Sequence, residues 1–181
     1  SEVSDGTLEG WVNEDVTIYQ SDFSSGLDGF VVDGGDAAIA GQTFEGVLNA
    51  VKHTPSASAS SGHRIRRLST IPKSSIVSLR LLVYIPSSNT VSNGVELRNA
   101  AGDLVATTST TDEWVVVEVT GTTGSGNSSQ TLAIHATSGG SRFFTGNGTD
   151  VIYYKNASVT VTSADGFVRT WYDQSTNDNH A

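Results

Sequence analysis

The sequence predicts an all-β protein, folded as an antiparallel β-sandwich of the jelly-roll type. Apolar and polar residues alternate with a period of two in several segments, as they do in strands with one buried face. Clusters of Gly, Ser, Thr and Asn separate these segments and are typical of turns and loops. No segment keeps a helical period between capping residues. Eight or more short strands joined by such loops favour two packed sheets.

The clearest predicted strand covers residues 78–85, where Leu79, Leu81 and Val83 share one face. Pro86 ends this strand because proline has no N–H to donate to a neighbouring strand. The same alternation, or enrichment in β-branched and aromatic residues, predicts the remaining strands. In chain order these are 17–19, 29–32, 46–53, 63–68, 95–98, 114–120, 131–136 and 151–161.

Charge and composition exclude several classes of protein. The chain has 181 residues, with 10 Lys or Arg against 19 Asp or Glu and a net charge of -9, which argues against a nucleic-acid binder. No apolar run approaches the roughly 20 residues of a membrane-spanning helix, so no membrane insertion is expected. The chain has no Cys, which excludes disulfides and thiolate metal sites. It also has no Met, which predicts a chain that is processed or cut from a longer product.

Three segments follow one another in an order and spacing that resemble a known family. They are IYQSDFSSGLDGF at 18–30, DEW at 112–114 before alternating valines, and DVIYYKNASV at 150–159. Together they resemble the opening strand and turn, the central strand and the closing strand of jelly-roll carbohydrate-binding modules. The resemblance implies a jelly roll over residues 15–162 and a glycan as its partner.

The two ends of the chain carry a second resemblance. SDGTLEGWV at 4–12 and DGFVRTWYDQS at 165–175 are similar to neighbouring pieces of a concanavalin-like (laminin-G-like) lectin domain, a type found in phage and bacterial surface proteins. This implies a first flanking strand at 1–14, a jelly-roll module at 15–162 and a returning flanking strand at 163–181. The flanks would form a two-stranded stub of a host domain, with the module inserted in a loop.

Polar side chains on the outward faces of the predicted strands are the candidate ligand-binding groups. Sugar binding uses planar polar groups for directed hydrogen bonds and an aromatic ring against sugar C–H groups. If the strands are neighbours, one face carries Arg80, Tyr84, Glu96, Arg98, Glu118 and His135. The same residues are typical of a solvated face with ion pairs, such as Glu96 with Arg80. Phe143 and Phe144 are a rival loop contact, or a plug at the end of the sandwich.

A structural calcium ion is a further implication of the first resemblance, between the first and last strands. Asp22 and Asp150 are its candidate ligands, since Ca²⁺ takes oxygen donors. The acidic pair usual in the closing strand is replaced here by Lys155 and Asn156, and a Lys would occupy the place of the cation. No cofactor is required.

The function predicted from these observations is a non-catalytic glycan-binding or adhesion module of a phage virion surface protein, a fibre or decoration protein. It would act at the virion surface or outside the cell and bind glycans on a host, with avidity from many copies. One alternative is a purely structural virion or assembly domain, a homo-oligomer or a contact to other virion subunits. Its contact residues would be Trp11, Phe167, Trp171 and Tyr172.

A glycosidase accessory or catalytic fragment is the other alternative. Glycosidases need two carboxylates on one concave face, and Glu96 and Glu118 are the pair that could face each other across a sheet. The four His residues have no metal-ligand spacing. We therefore predict no catalytic residue.

Overall fold

The computed structural model describes residues 15–33, 35–58, 62–67, 71–99, 101–125 and 131–162. Within these ranges the chain forms strands, turns and loops, and no helix that could cross a membrane. The strands are β1 (Val16–Ser21), β2 (Phe30–Asp33), β3 (Ala37–Phe44), β4 (Val47–Thr54), β5 (Arg64–Arg67), β6 (Ile76–Tyr84), β7 (Gly94–Asn99), β8 (Val105–Thr108), β9 (Trp114–Thr122), β10 (Leu132–Thr137) and β11 (Ile152–Thr162). The predicted stub, with its contact residues Trp11, Phe167, Trp171 and Tyr172, lies outside the described residues.

Two antiparallel sheets build the fold, which confirms the predicted all-β sandwich. The five-stranded sheet has the order β2-β5-β10-β7-β8. The six-stranded sheet has the order β3-β4-β11-β6-β9, with β1 as an additional neighbour of β11. The first part of β11 pairs with β4, and its second part pairs with β1, where Val161 lies opposite Val16. The first and last described strands are therefore neighbours.

The core lies between the two sheets and consists of the inward residues of the alternating strands. Leu79, Leu81 and Val83 of β6 are fully buried, as predicted from their spacing. From the other sheet, Leu97 and Ile134 meet them in the same cluster. Each such side chain contributes roughly 1.5–3 kcal/mol by leaving water. Because apolar side chains gain free energy by leaving water, the alternation of apolar and polar residues determines which face of each strand points outward.

Two strands, β3 and β8, were not predicted from the sequence. The β3 sequence AAIAGQTF is rich in Ala and contains a Gly, residues that are depleted in strands, and none of its residues is fully buried. The β8 strand is four residues long and forms through its pairing with β7. Both strands thus depend on a neighbouring strand more than on local propensity.

Candidate functional site

The structure divides the six predicted ligand-binding residues into two groups of three. Arg80, Tyr84 and Glu118 belong to β6 and β9, on the outer face of the six-stranded sheet. The other three, Glu96, Arg98 and His135, belong to β7 and β10, on the outer face of the five-stranded sheet. The prediction of a single patch was wrong, because alternation shows which side of a strand is buried but not which sheet the strand joins.

The outer face of the six-stranded sheet carries an aromatic row. Cross-strand pairing places one residue from each of five strands side by side. Across the sheet these are Ile39, Lys52, Tyr153, Tyr84 and Trp114. The row is the kind of surface on which a sugar ring could stack, provided that the rings are accessible.

The β3–β4 hairpin covers most of this aromatic row. The Phe44 ring stacks on the Tyr153 ring with centroids 3.8 Å apart, and lies 4.9 Å from the Tyr84 ring. Gly41 and Asn49, one on each strand of the hairpin, have φ values of 71° and 61°, in the left-handed region. The register shifts beside both residues. The bent hairpin leaves Tyr84 and Tyr153 only 8% exposed, so their rings form a second small core.

Burial also changes the acidity of the covered rings. Burial, followed by the nearby carboxylates of Asp112 and Glu45, raises the pKa of Tyr84. Burial alone raises the pKa of Tyr153. Both phenols therefore stay protonated over the physiological pH range.

Further along the same face, Arg80 and Glu118 form an exposed ion pair. The Arg80 Nε and Glu118 Oε2 atoms are 3.7 Å apart, and both side chains are nearly half exposed. Ser78 donates a hydrogen bond to Glu118. The predicted pairing of Arg80 with Glu96 does not form, since the two residues lie on different sheets. An exposed pair of this kind contributes little to stability.

The outer face of the five-stranded sheet is polar and tightly organised. Cross-strand pairing again gives one row over all five strands. In order, this row is Asp33, Arg64, His135, Glu96 and Thr107. Arg66 and Arg98 lie in the adjacent row, on either side of Ala133.

Ion pairs hold the charged side chains of this face in place. The Asp33 carboxylate lies 2.7 Å from Arg64 Nε and 2.6 Å from Arg66 Nε. The Glu96 carboxylate lies 3.0 Å from Arg98 Nη1 and 3.3 Å from Nε of Arg142, which comes from the β10–β11 loop. Each carboxylate is thus shared by two guanidinium groups. Shared, partly buried pairs restrict rotamers and present donors in a defined geometry.

His135 lies in the middle of this charged row and is 3% exposed. Burial is the main cause that lowers its pKa to about 3, followed by the positive charges of Arg142, Arg64 and Arg98. The imidazole is therefore neutral at physiological pH. Its Nδ1 atom has no hydrogen-bond partner among the described residues.

An open groove continues the row at the β8 edge of the sheet. Its volume is about 530 Å³. Hydroxyl-bearing side chains and glycines line it, among them Thr107, Thr108, Ser109, Thr111 and Thr137. Thr107 is the cross-strand neighbour of Glu96. The groove and the charged row therefore form one continuous surface, which we call the five-stranded face.

Asp150 has a structural role that leaves little of its carboxylate for a metal ion. Its two oxygens accept hydrogen bonds from the backbone N–H groups of residues 90–92 and from the Asn147 amide. Burial raises the pKa of Asp150, but these hydrogen bonds outweigh it and the pKa is lowered. The carboxylate fastens the β6–β7 loop to the start of β11.

Asp22 lies far from Asp150, so the two do not form the predicted calcium site. Its neighbour Ser21 pairs with Ala157 of β11, and the stretch from Asp150 to Ala157 spans roughly 20 Å when extended. Asp22 is exposed, and hydrogen bonds from the Ser24 side chain and then from the Ser24 backbone N–H lower its pKa. Among the residues that the structure describes, no group of three or more His, Asp or Glu side chains is arranged so that it could hold a metal ion.

A buried Asp–His–His cluster was not anticipated from the sequence. Asp36 Oδ2 lies 2.8 Å from His53 Nε2, and Asp36 Oδ1 lies 2.6 Å from His63 Nδ1. His53 Nδ1 meets the Tyr154 hydroxyl at 3.0 Å. His53 belongs to the six-stranded sheet, whereas His63 immediately precedes β5 of the other sheet. The spacing of these residues in the chain carried no signal, because only the sandwich brings them together.

The two phenylalanines of the β10–β11 loop have separate roles. Phe144 packs against the core, and its ring lies 4.5 Å from the His63 ring. Phe143 is 60% exposed, with the Arg142 guanidinium 5.3 Å from its ring centroid. One ring thus plugs the sandwich while the other faces solvent.

Comparison with known proteins identifies similar folds and no sequence family. No protein-family model matches the sequence, and no curated protein matches it. The CBM22-2 xylan-binding domain of Paenibacillus barcinonensis Xyn10C superposes with a TM-score of 0.57 at 14% identity, over 80% of this chain and 99% of that domain. The CBM22-1–GH10 modules of Clostridium thermocellum xylanase 10B, complexed with xylohexaose, give 0.57 at 15% identity, over 80% of this chain and 28% of theirs.

An enzyme chain also contains this fold. The arabinose-bound α-L-arabinofuranosidase MgGH51 gives a TM-score of 0.56 at 13% identity, over 83% of this chain and 26% of that chain. At these identities the likeness is one of fold, and it confirms the predicted jelly-roll type. The predicted phage origin and the insertion into a lectin-like domain stay predictions.

Proposed function

We propose that this chain is a non-catalytic glycan-binding module whose ligand binds on the five-stranded face. The observation that carries the proposal is the row of fixed polar side chains that continues into an open groove of about 530 Å³. Carboxylate, guanidinium and hydroxyl groups in defined positions match the directed hydrogen bonds that sugar hydroxyls make. The similar xylan-binding domains support the proposal and make xylan the first polysaccharide to test.

The outer face of the six-stranded sheet is the weaker candidate. Its aromatic rings are the usual platform for a sugar, but Phe44 covers Tyr153 and Tyr84. A glycan could stack on those rings only if the hairpin moved. The five-stranded face needs no such rearrangement.

The positions of the carboxylates favour binding without catalysis. Glu96 and Glu118, the pair that a glycosidase would require, lie on the outer faces of opposite sheets. Packed sheets are about 10 Å apart, and outward side chains are further apart still. Retaining and inverting glycosidases need their two carboxyl groups within about 5–10 Å, on the same side of the sugar site.

A substitution that fills the groove tests the proposal directly. Affinity gel electrophoresis against xylan and other plant and bacterial glycans first identifies a polysaccharide that binds the unmodified chain. Thr107→Trp should abolish binding to that polysaccharide. Thr120→Trp is the matched control, since Thr120 is also an exposed threonine on an edge strand, but of the other sheet. Retained binding by Thr107→Trp would place the site elsewhere, and retention of no glycan by the unmodified chain would refute the function.

The virion context and the assembly role of Trp11, Phe167, Trp171 and Tyr172 stay predictions from the sequence. These residues lie outside the described ranges. Concentration-dependent association in sedimentation, lost in Trp171→Ala, would support the assembly role. Association that this substitution leaves unchanged would refute it.

A further inference from the structure

The five-stranded face is positively charged on a strongly acidic protein. Four guanidinium groups meet two carboxylates there, whereas the whole chain has a net charge of -9. The cations are Arg64, Arg66, Arg98 and Arg142, and the anions are Asp33 and Glu96. Four of the chain's ten Lys and Arg residues therefore lie together on one face, with a local excess of two positive charges.

The internal positions outside the described residues add no negative charge that could balance the arginines of this face. The internal positions outside the described residues are 34, 59–61, 68–70, 100 and 126–130. Their sequences contain no Asp or Glu. Within residues 15–162, the charge excess is thus a property of the face itself.

The central side chain of the face does not offset the excess. His135 is neutral, because burial and then the positive charges of Arg142, Arg64 and Arg98 lower its pKa. Its Nδ1 atom is buried without a hydrogen-bond partner among the described residues. A neutral, under-satisfied polar group surrounded by cations is an environment that favours a bound anion.

The arginines also keep donors for a ligand. A guanidinium group has five N–H donors in a planar fork. Arg98 Nη1 and Arg142 Nε both contact the same oxygen of Glu96. Side chains of Arg64, Arg66 and Arg142 are about one-third exposed, so their outer nitrogens can reach solvent.

We propose that the ligand of the five-stranded face is an anionic glycan, in which a carboxylate or sulfate group contacts these arginines. This inference rests on the proposed function and adds the chemical class of the ligand. A planar guanidinium fork pairs with two oxygens of a carboxylate or a sulfate at once, a geometry that a neutral sugar hydroxyl cannot match. Uncharged sugar units of the same glycan would occupy the hydroxyl-lined groove.

Two pairs of polymers, each with a charged and a neutral member, separate the anionic-ligand proposal from the proposed glycan-binding function. The first pair is polygalacturonate and the same polymer after reduction of its carboxyl groups, and the second is dextran sulfate and dextran. In isothermal titration calorimetry at low salt, we expect a charged member to bind about tenfold more tightly than its neutral partner. The difference should shrink as NaCl is added, because salt screens the exposed guanidinium groups.

Two substitutions assign the effect to this face. Arg142→Gln should lower affinity for the charged polymer several-fold, and by more than it lowers affinity for the neutral polymer. Arg80→Gln is the matched control, since Arg80 is also paired with one carboxylate but lies on the other sheet. Glu96→Gln should strengthen binding to the charged polymer, because it removes the carboxylate that competes for Arg98 and Arg142.

The possible outcomes distinguish a failure of the anionic-ligand proposal from a failure of the proposed glycan-binding function. Equal binding of charged and neutral polymers, both lost in Thr107→Trp, would overturn the anionic ligand and leave the proposed function intact. Equal losses in Arg142→Gln and Arg80→Gln would show non-specific attraction and also overturn it. Binding of dextran sulfate without polygalacturonate would support the proposal with sulfate as the recognised group. Binding of no polymer would refute the proposed function as well.

Discussion

Asp36 and His63 form a fully buried ion pair where the two sheets meet. The His63 Nε2 atom lies 3.2 Å from the Phe144 carbonyl oxygen, which can only accept a hydrogen bond, so Nε2 carries a proton. The Asp36 carboxylate, 2.6 Å from Nδ1, also accepts. His63 therefore donates from both nitrogens and is positively charged. His53 Nε2 donates to the same carboxylate, and its Nδ1 atom lies 3.0 Å from the Tyr154 hydroxyl.

Replacing Asp36 should destabilise the protein strongly. Asp36→Asn removes the charge that balances His63 and an acceptor that His53 needs, so we expect a loss of about 3–5 kcal/mol in unfolding free energy. Urea denaturation followed by circular dichroism measures it. Asp33→Asn is the control, since Asp33 also has two basic partners, Arg64 and Arg66, but is partly exposed, and it should cost much less. Equal losses in the two variants would contradict the role of burial.

Asp36 should also make the fold sensitive to acid. Burial raises its pKa, but hydrogen bonds from His53, His63 and Ser56 outweigh this, so the pKa is lowered. A carboxyl with a lowered pKa stabilises the fold above its unfolded-state pKa of about 3.9, and that stability is lost as the pH falls through the folded-state value. The unmodified chain should lose stability below about pH 4 more steeply than Asp36→Asn does. Parallel pH profiles for the two proteins would count against this prediction.

His135 should weaken the fold at mildly acidic pH. Its pKa is about 3 in the folded chain, because of burial and the surrounding arginines. Since free histidine titrates near 6.5, the unfolded chain binds a proton between about pH 6.5 and 3 that the folded chain does not. As the pH is lowered through that range, the unfolding free energy should fall by up to about 1.4 kcal/mol per pH unit. His135→Gln, which does not titrate, should flatten the slope in urea denaturations at pH 4 to 7, and an unchanged slope would refute the assignment.

Removing the Phe44 ring should expose the aromatic row of the six-stranded sheet. Phe44→Ala deletes the ring that stacks on Tyr153, so we expect a loss of about 2–3 kcal/mol. Spectrophotometric titration should show a tyrosine ionising at lower pH than in the unmodified chain, because burial no longer raises the pKa of Tyr84 and Tyr153 as far. Phe143→Ala is the control, since that ring is exposed and should cost under about 0.5 kcal/mol.

Asp150 should stabilise the fold without calcium. Asp150→Asn weakens the hydrogen bonds to residues 90–92, and we expect a loss of about 1–3 kcal/mol in unfolding free energy. In contrast, the melting temperature of the unmodified chain should be the same in EDTA and in millimolar CaCl₂. A melting temperature that rises with calcium in the unmodified chain but not in Asp150→Asn would contradict this prediction and support a calcium site at Asp150.

Local sequence determined the strands and their buried faces. In β6, the residues Leu79, Leu81 and Val83 alternate with polar ones, and the structure buries them as expected. The same rule placed Val117 and Ile134 in the core. These features follow from the period of two, which any extended chain imposes on its side chains. Strands whose sequence lacks that pattern, β3 and β8, could not be predicted, because pairing with a neighbouring strand supports them more than local propensity does.

Tertiary structure alone decided which side chains share a surface. Glu96 and Glu118 look equivalent along the chain, yet they face opposite sides of the molecule because β7 and β9 join different sheets. Arg64 and Arg142 are far apart in sequence and converge around His135. Asp36 contacts one histidine in the six-stranded sheet and one that immediately precedes a strand of the other sheet. The physical reason is that alternation is a local property, whereas the order of strands in a sandwich is set by the packing of the whole core.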